Sequence, residues 1–191
     1  MEEKKDFKII FIHGYTASSK NDWYPDITPE LRKLKIDFSV PNLPGGLHPH
    51  SKEWLSTIDG EVKKTKKPLV LVGHSLGSRA VLLYLEKYKP KVKLVLLIAA
   101  FANRVENAQR NKGEVYPDFF THKINIDEIK TLSDKFIIMH SQDDDSIAYE
   151  QGEEIARDLD ARLITYSDRG HFYKANNYVY VLKVLRKELN F

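Results

Sequence analysis

Six short apolar runs punctuate the chain: FKIIFI from Phe7, IDFSV from Ile36, LVLV from Leu69, VKLVLLIAA from Val92, FIIM from Phe136 and RLITY from Arg162. Most are continuously apolar instead of alternating with polar residues. A strand with one face in water alternates, and a strand covered on both faces does not. The runs therefore predict buried strands of a mainly parallel sheet. Between them the apolar positions recur at helical spacing. Trp54, Leu55, Ile58 and Val62 share one face of a helix whose expected N-cap is Ser51. From Leu76 to Tyr88 apolar residues surround much of the helix, which predicts a place beside the sheet centre. Ile155, Ala156 and Leu159 mark another helix, and Tyr178, Val181, Leu182, Leu185 and Leu189 mark the last. Strands alternating with helices predict an α/β fold, with a six-stranded, mainly parallel sheet and helices on both faces.

No repeat, low-complexity tract or linker divides the 191 residues, so 1–191 are expected to form a single domain. The longest stretch without a period runs from Phe101 to His122 and carries Tyr116, Phe119 and Phe120. It reads equally as a small lid over a site or as a decorated crossover. A hydrophobic content of 42% with 30% charged residues is that of a soluble globular protein. The formal net charge of +3 is too mild to call for nucleic acid, and Lys63-Lys64-Thr65-Lys66-Lys67 reads as a solvated helix end. Cysteine is absent, which excludes disulfides, thiolate metal sites and cysteine nucleophiles. No run is long enough to span a bilayer, and MEEKKDFKIIFIHGY lacks a signal-peptide core. A cytoplasmic protein with no membrane partner is expected.

One polar residue stands out against this background. In LVLVGHSLGSRAVLLYLEKY, Ser75 sits between Gly73-His74 and Leu76-Gly77, where a predicted strand gives way to a predicted helix. G-x-S-x-G is a loose pattern by itself. At a strand-to-helix junction it describes a nucleophile elbow, in which small flanking residues permit a sharp turn that exposes the serine. The helix N-terminus places partial positive charge beside a developing anion.

A serine hydroxyl needs a base to take its proton. Of seven histidines, His171 in SDRGHFYK follows the last predicted strand and precedes the last helix, where sites of parallel sheets form. The others read more plainly. His74 is the variable position of the elbow, His140 ends a strand, and His48 and His50 lie in a proline-rich loop without nearby acids. Nothing singles out His122, and His13 belongs to the first turn. A base histidine needs an acid to fix its tautomer, and HSQDDDSIAYEQ offers Asp143, Asp144 and Asp145 after the FIIM strand. Three adjacent acids also suit a solvated turn. The chain order serine, aspartate, histidine is that of the α/β hydrolases. For an oxyanion hole, the backbone N–H of Leu76 follows the nucleophile. FIHGYTAS can supply the N–H of Tyr15 if the first and third strands are neighbours. Each such donor is worth roughly 10²- to 10³-fold in rate.

These residues resemble the α/β-hydrolase superfamily, and more narrowly the small serine hydrolases grouped with retinoblastoma-binding protein nine and its bacterial relatives. The resemblance runs through FIHGY, WYP at Trp23 to Pro25, VPNLPG, EWL at Glu53 to Leu55, VGHSLG, IIMHSQDDDSI and GHF at Gly170 to Phe172. It implies a compact hydrolase sheet without a large cap domain, a serine-hydrolase triad, and no metal or organic cofactor. It also favours Asp144, the second acid of an Asp-Asp pair before Ile147-Ala148, with Asp143 as the alternative. Alanine stands where such relatives usually have proline, and Asp145 is a third acid. The expected function is a carboxylesterase on small or short-acyl esters. Amide or peptide hydrolysis by the same site is one alternative, and a protein-binding module on a hydrolase fold is the other. The expected partner is a small ester or amide substrate, and no residue pattern calls for a protein partner.

Overall fold

The computed structural model describes residues 5–101 and 116–191, and its six apolar runs form one sheet. The strands are β1 (Lys8–Ile12), β2 (Asp37–Ser39), β3 (Leu69–His74), β4 (Leu94–Ile98), β5 (Phe136–Ser141) and β6 (Arg162–Tyr166). Their order is β2-β1-β3-β4-β5-β6 and every pairing is parallel. Ile12 lies opposite Gly73, and His74 opposite Ile98, so β1, β3 and β4 end level with one another. The chain reverses its direction of winding between β1 and β3. The loops beyond their carboxyl ends therefore diverge and leave a crevice.

Helices α1 (Tyr24–Lys33), α2 (Ser51–Val62), α3 (Leu76–Tyr88), α4 (Ile126–Ile129), α5 (Tyr149–Asp158) and α6 (Tyr178–Leu189) join the strands. The sheet separates two cores because successive side chains of a strand point to opposite faces. Leu71, Leu97 and Ile138 pack with Trp54, Leu55 and Ile58 of α2, Ala80 and Leu83 of α3 and Ile155 of α5. Val70, Val72 and Leu96 pack on the other face with Tyr24, Ile27 and Leu31 of α1 and Val181, Leu182 and Leu185 of α6. Each fully buried aliphatic side chain contributes about 1.5–3 kcal/mol. The central strands β1, β3, β4 and β5 are buried along their whole length, which is why their sequences do not alternate. No helix among the described residues is long and apolar enough to cross a membrane.

Three features differ from the sequence reading or extend it. Helix α1 was not evident in YPDITPELRK because Pro29 lies inside it. Proline there removes one backbone bond, and the burial of Tyr24, Ile27 and Leu31 offsets the loss. Ser51 does not cap α2. It is the first helical residue, and His50 is the flanking one, without a side-chain cap bond. The cap comes from afar: Asp118 Oδ2 accepts from the Ser51 N–H at 2.8 Å and from the Ser51 hydroxyl at 3.1 Å. Helix α3 turns a buried arginine inward, with Arg79 Nε donating to the Phe119 carbonyl at 2.8 Å and Nη2 to that of His122 at 3.0 Å. Of the stretch read as lid or crossover, residues 102–115 lie outside the described residues. Pro117–Phe120 form a 3-10 turn in which Phe119 is buried.

Candidate active site

β3 ends at His74, Ser75 adopts φ 54° and ψ −122°, and α3 begins at Leu76. That left-handed conformation costs a non-glycine residue roughly 1–3 kcal/mol, so the surroundings must impose it. They do so by close packing. A Cβ on Gly77 would lie 2.1 Å from the Ile12 carbonyl oxygen, and one on Gly73 would lie 2.7 Å from Ser78 Cα. The Ser75 N–H donates to the Ile98 carbonyl at 2.9 Å, and the Ser78 hydroxyl donates to the Gly73 carbonyl at 2.9 Å. The Ser75 side chain makes no bond to the helix end, which leaves its hydroxyl for other chemistry.

The loop after β1 packs against this turn, and a Cβ on Gly14 would stand 3.2 Å from that of Ser75. His13 braces the loop from behind. Its Nε2 accepts from the Leu43 N–H at 2.9 Å, so its Nδ1 carries the proton and donates to the Gly14 carbonyl at 2.9 Å. Tyr15 and Ser75 border the same cleft. The N–H of Leu76 has no backbone acceptor among the described residues, as befits the first turn of a helix.

On the other side stand Asp144 and His171. Both oxygens of Asp144 lie 2.9 Å from His171 Nδ1, and both side chains are fully buried. Asp144 Oδ1 also accepts from the Ser146 and Ile147 N–H groups, each at 2.9 Å, and His140 Nε2 lies 3.4 Å from Oδ2. Burial opposes ionisation of this carboxyl. Hydrogen bonds from His140 and His171, the charge of His171 and the Ile147 N–H outweigh it and hold Asp144 well below the usual carboxylate range. With Nδ1–H directed at Asp144, His171 Nε2 is left as a basic lone pair, buried and without a hydrogen-bond partner among the described residues.

The neighbouring acids do other work. Asp143 Oδ1 accepts from the Ser141 hydroxyl and from the Gly170 N–H at 2.8 Å, which ties the His171 loop to the end of β5. Among the described residues Asp145 accepts only from the Ser146 hydroxyl, at 3.2 Å.

Sequence reasoning missed what His74 does. Its Nε2 donates to the His171 carbonyl at 2.8 Å, so the residue before Ser75 anchors the loop that carries His171. Burial, together with the charge of His171, lowers the His74 pKa to about 3. The sequence signal was its adjacency to Ser75 in a fully apolar setting. His140 and Asp22 carried no such signal. A cleft of about 210 Å³ opens between the two sides, bordered by Tyr15, Asn21, Asp22, His74, Ser75 and Tyr173. Among the described residues no three His, Asp or Glu side chains converge as metal ligands.

A six-stranded parallel sheet with this switch point and a serine on a strained turn after its third strand is the architecture of an α/β hydrolase. The sequence profile of the serine hydrolase family matches residues 9–184, and the chain belongs to that family. It is 29% identical over 167 residues to the YdeN protein of Bacillus subtilis (strain 168), covering 86% of this chain and 85% of that one. To serine hydrolase RBBP9 of Rattus norvegicus it is 27% identical over 152 residues, 78% of this chain and 77% of the relative. The crystal structure of the B. subtilis ydeN gene product superposes with a TM-score of 0.85 at 24% identity, covering 96% and 99% of the two chains. Est1E from Butyrivibrio proteoclasticus superposes with a TM-score of 0.73 at 16% identity, covering 97% and 88%.

Proposed function

We propose that this serine hydrolase is a carboxylesterase for small or short-acyl esters, with Ser75, His171 and Asp144 as its triad. The observation that carries the reading is the pairing of two features. Ser75 is held in a left-handed turn lining a small cleft, and His171, whose carbonyl is bound by the adjacent His74, has its Nδ1 fixed by Asp144. Ser75 Oγ attacks the ester carbonyl while His171 Nε2 takes its proton. The tetrahedral oxyanion is held by the N–H groups of Tyr15 and Leu76. His171 then returns the proton to the departing alkoxide, which leaves as the alcohol. Water, deprotonated by the same nitrogen, attacks the acyl-enzyme, and collapse of the second oxyanion releases the carboxylic acid and restores Ser75. A cleft of about 210 Å³ supports a small acyl or alcohol group.

The test is labelling with a fluorophosphonate, read by intact mass, on wild type, Ser75→Ala and His171→Ala. One adduct on wild type, absent from both variants, together with loss of 4-nitrophenyl butyrate turnover in both, is the expected result. An unlabelled, folded wild type sinks the reading. Matched butyryl ester and butyryl amide substrates then separate ester from amide hydrolysis.

A further inference from the structure

Two buried polar atoms on residues that line the cleft stand opposite each other, and among the described residues neither has a hydrogen-bond partner. His74 Nε2 meets a carbonyl oxygen, which can only accept, so Nε2 carries the ring proton. The ring is neutral, since burial holds its pKa near 3, and Nδ1 is therefore a bare lone pair. Asp22 Oδ2 lies 3.8 Å away, beyond hydrogen-bond reach. Both atoms are buried and neither has a hydrogen-bond partner among the described residues. Two acceptors are thus opposed with no donor between them. A proton on Asp22 Oδ2 does not join the two across 3.8 Å.

The charge balance points the same way. Desolvation pushes the Asp22 carboxyl up to about 6, and the positive charge of His171 moderates that rise. Above pH 6 the cleft therefore carries an anion, and among the described residues neither lysine nor arginine lines it. Tyr173, half-exposed, lines it too and places its ring 5.9 Å from that of His74. Asp22 itself sits at φ 52°, so the backbone holds it in an unfavourable conformation at this spot. A guest that satisfies both atoms needs two hydrogens on one centre, and one that also neutralises the carboxylate is a cation. A primary ammonium has both properties, and an aromatic wall favours it further.

We propose that Asp22 and His74 form the recognition end of the cleft: the ester cleaved at Ser75 carries a primary ammonium a few bonds from its scissile carbonyl, held between Asp22 Oδ2 and His74 Nδ1. The inference rests on the ester-hydrolase reading of Ser75 and adds the substrate class to it. The cleft holds only about 210 Å³, so the ammonium and the reacting carbonyl belong to one small molecule. The ammonium can lie on the acyl side or on the alcohol side of the ester.

Two substrate pairs separate these sources. Benzyl β-alaninate is compared with benzyl butyrate, which has a methyl group in place of the ammonium. For the alcohol side, 4-(aminomethyl)benzyl butyrate is compared with 4-ethylbenzyl butyrate. In wild type at pH 7.5, kcat/KM for the ammonium member of one pair is expected to exceed that of its neutral partner by about 10- to 100-fold, the range for a hydrogen bond to a charged group. In Asp22→Asn that ratio is expected to fall to within about twofold of one; asparagine tolerates the left-handed backbone at this position. Ratios near one for both pairs in wild type, or a preference that survives Asp22→Asn, overturn the proposal and leave cleft water as the only guest of the two acceptors. Turnover that persists in Ser75→Ala, or turnover of none of the four esters by wild type, overturns the ester-hydrolase reading and this inference with it. Ratios near one with Ser75-dependent turnover overturn the inference alone.

Discussion

One carboxylate, Asp144, meets His171 and another, Asp22, stands beside the neighbouring ring of His74, and the protein treats them in opposite ways. Asp144 is met by two backbone N–H groups, by the Nδ1–H of His171 and, at longer range, by His140. Asp22 Oδ2 is buried beside a bare ring nitrogen and receives no hydrogen bond from the described residues. Both are desolvated, and the difference lies entirely in the donors. Burial alone raises a carboxyl, as it does at Asp22, and enough donors reverse the sign, as at Asp144. Asp144, the acid of the proposed triad, is completed by its own fold. A carboxylate left incomplete is completed by whatever enters the cleft.

The largest effect should come from the completed site. Asp144→Asn is expected to lower kcat by about 10³- to 10⁴-fold, because an amide permits the wrong tautomer of His171. Retention of more than a tenth of the wild-type rate would break the comparison on this side.

Next comes the pH dependence of stability. Asp22 has its folded pKa raised, so its ionisation burdens the native state above pH 6, and the burden is relieved as the pH falls through about 6 toward the unfolded value. Asp144 has the opposite sign: its contribution is present above the unfolded carboxylate value and is lost only in strong acid, as the pH falls through its lowered folded value. Asp22→Asn is therefore expected to stabilise the protein at pH 8 by up to about 3 kcal/mol, with no gain at pH 4. Urea melts at the two pH values check this, and a gain that does not depend on pH would refute it.

A smaller effect is expected at His140. Its Nε2 is shared between the Ile147 carbonyl at 3.1 Å and Asp144 at 3.4 Å, and removing both contacts in His140→Phe should lower kcat/KM by about tenfold, the worth of one hydrogen bond to a charge. The acidic limb of the pH–rate profile should rise in pH at the same time, which simple loosening of the fold would not produce. Gly152 supports this residue, since a Cβ there would lie 2.2 Å from His140 Nδ1. The smallest change should follow Asp143→Asn. That carboxylate braces the His171 loop through Gly170, so a loss of about threefold in kcat and under about 1 kcal/mol in stability is expected. A loss as large as that of Asp144→Asn would exchange the roles of the two acids.

Much of the architecture was legible because it is written in local patterns. Continuous apolar runs name strands covered on both faces, and β1, β3, β4 and β5 are so covered. Gly73 and Gly77 around Ser75 report a turn in which backbone atoms leave no space for Cβ. Legibility failed wherever a residue takes its partner from far along the chain. Ser51 looked like a cap and instead receives one from Asp118, which no window around α2 contains. Helix α1 was hidden by Pro29, because propensity speaks for isolated segments and packing overrules it.

By itself, then, the sequence determined the kind of sheet, the turn that strains Ser75, and the chain order of serine, acids and histidine, since each depends on neighbours within a few residues. Only the tertiary structure decided which of the adjacent acids lies against His171, that His74 anchors the His171 loop, and that Asp22 Oδ2 has no donor among the described residues. Those outcomes depend on which atoms three separate loops bring within 3–4 Å of one another, and a hydrogen bond is made or withheld over that distance alone.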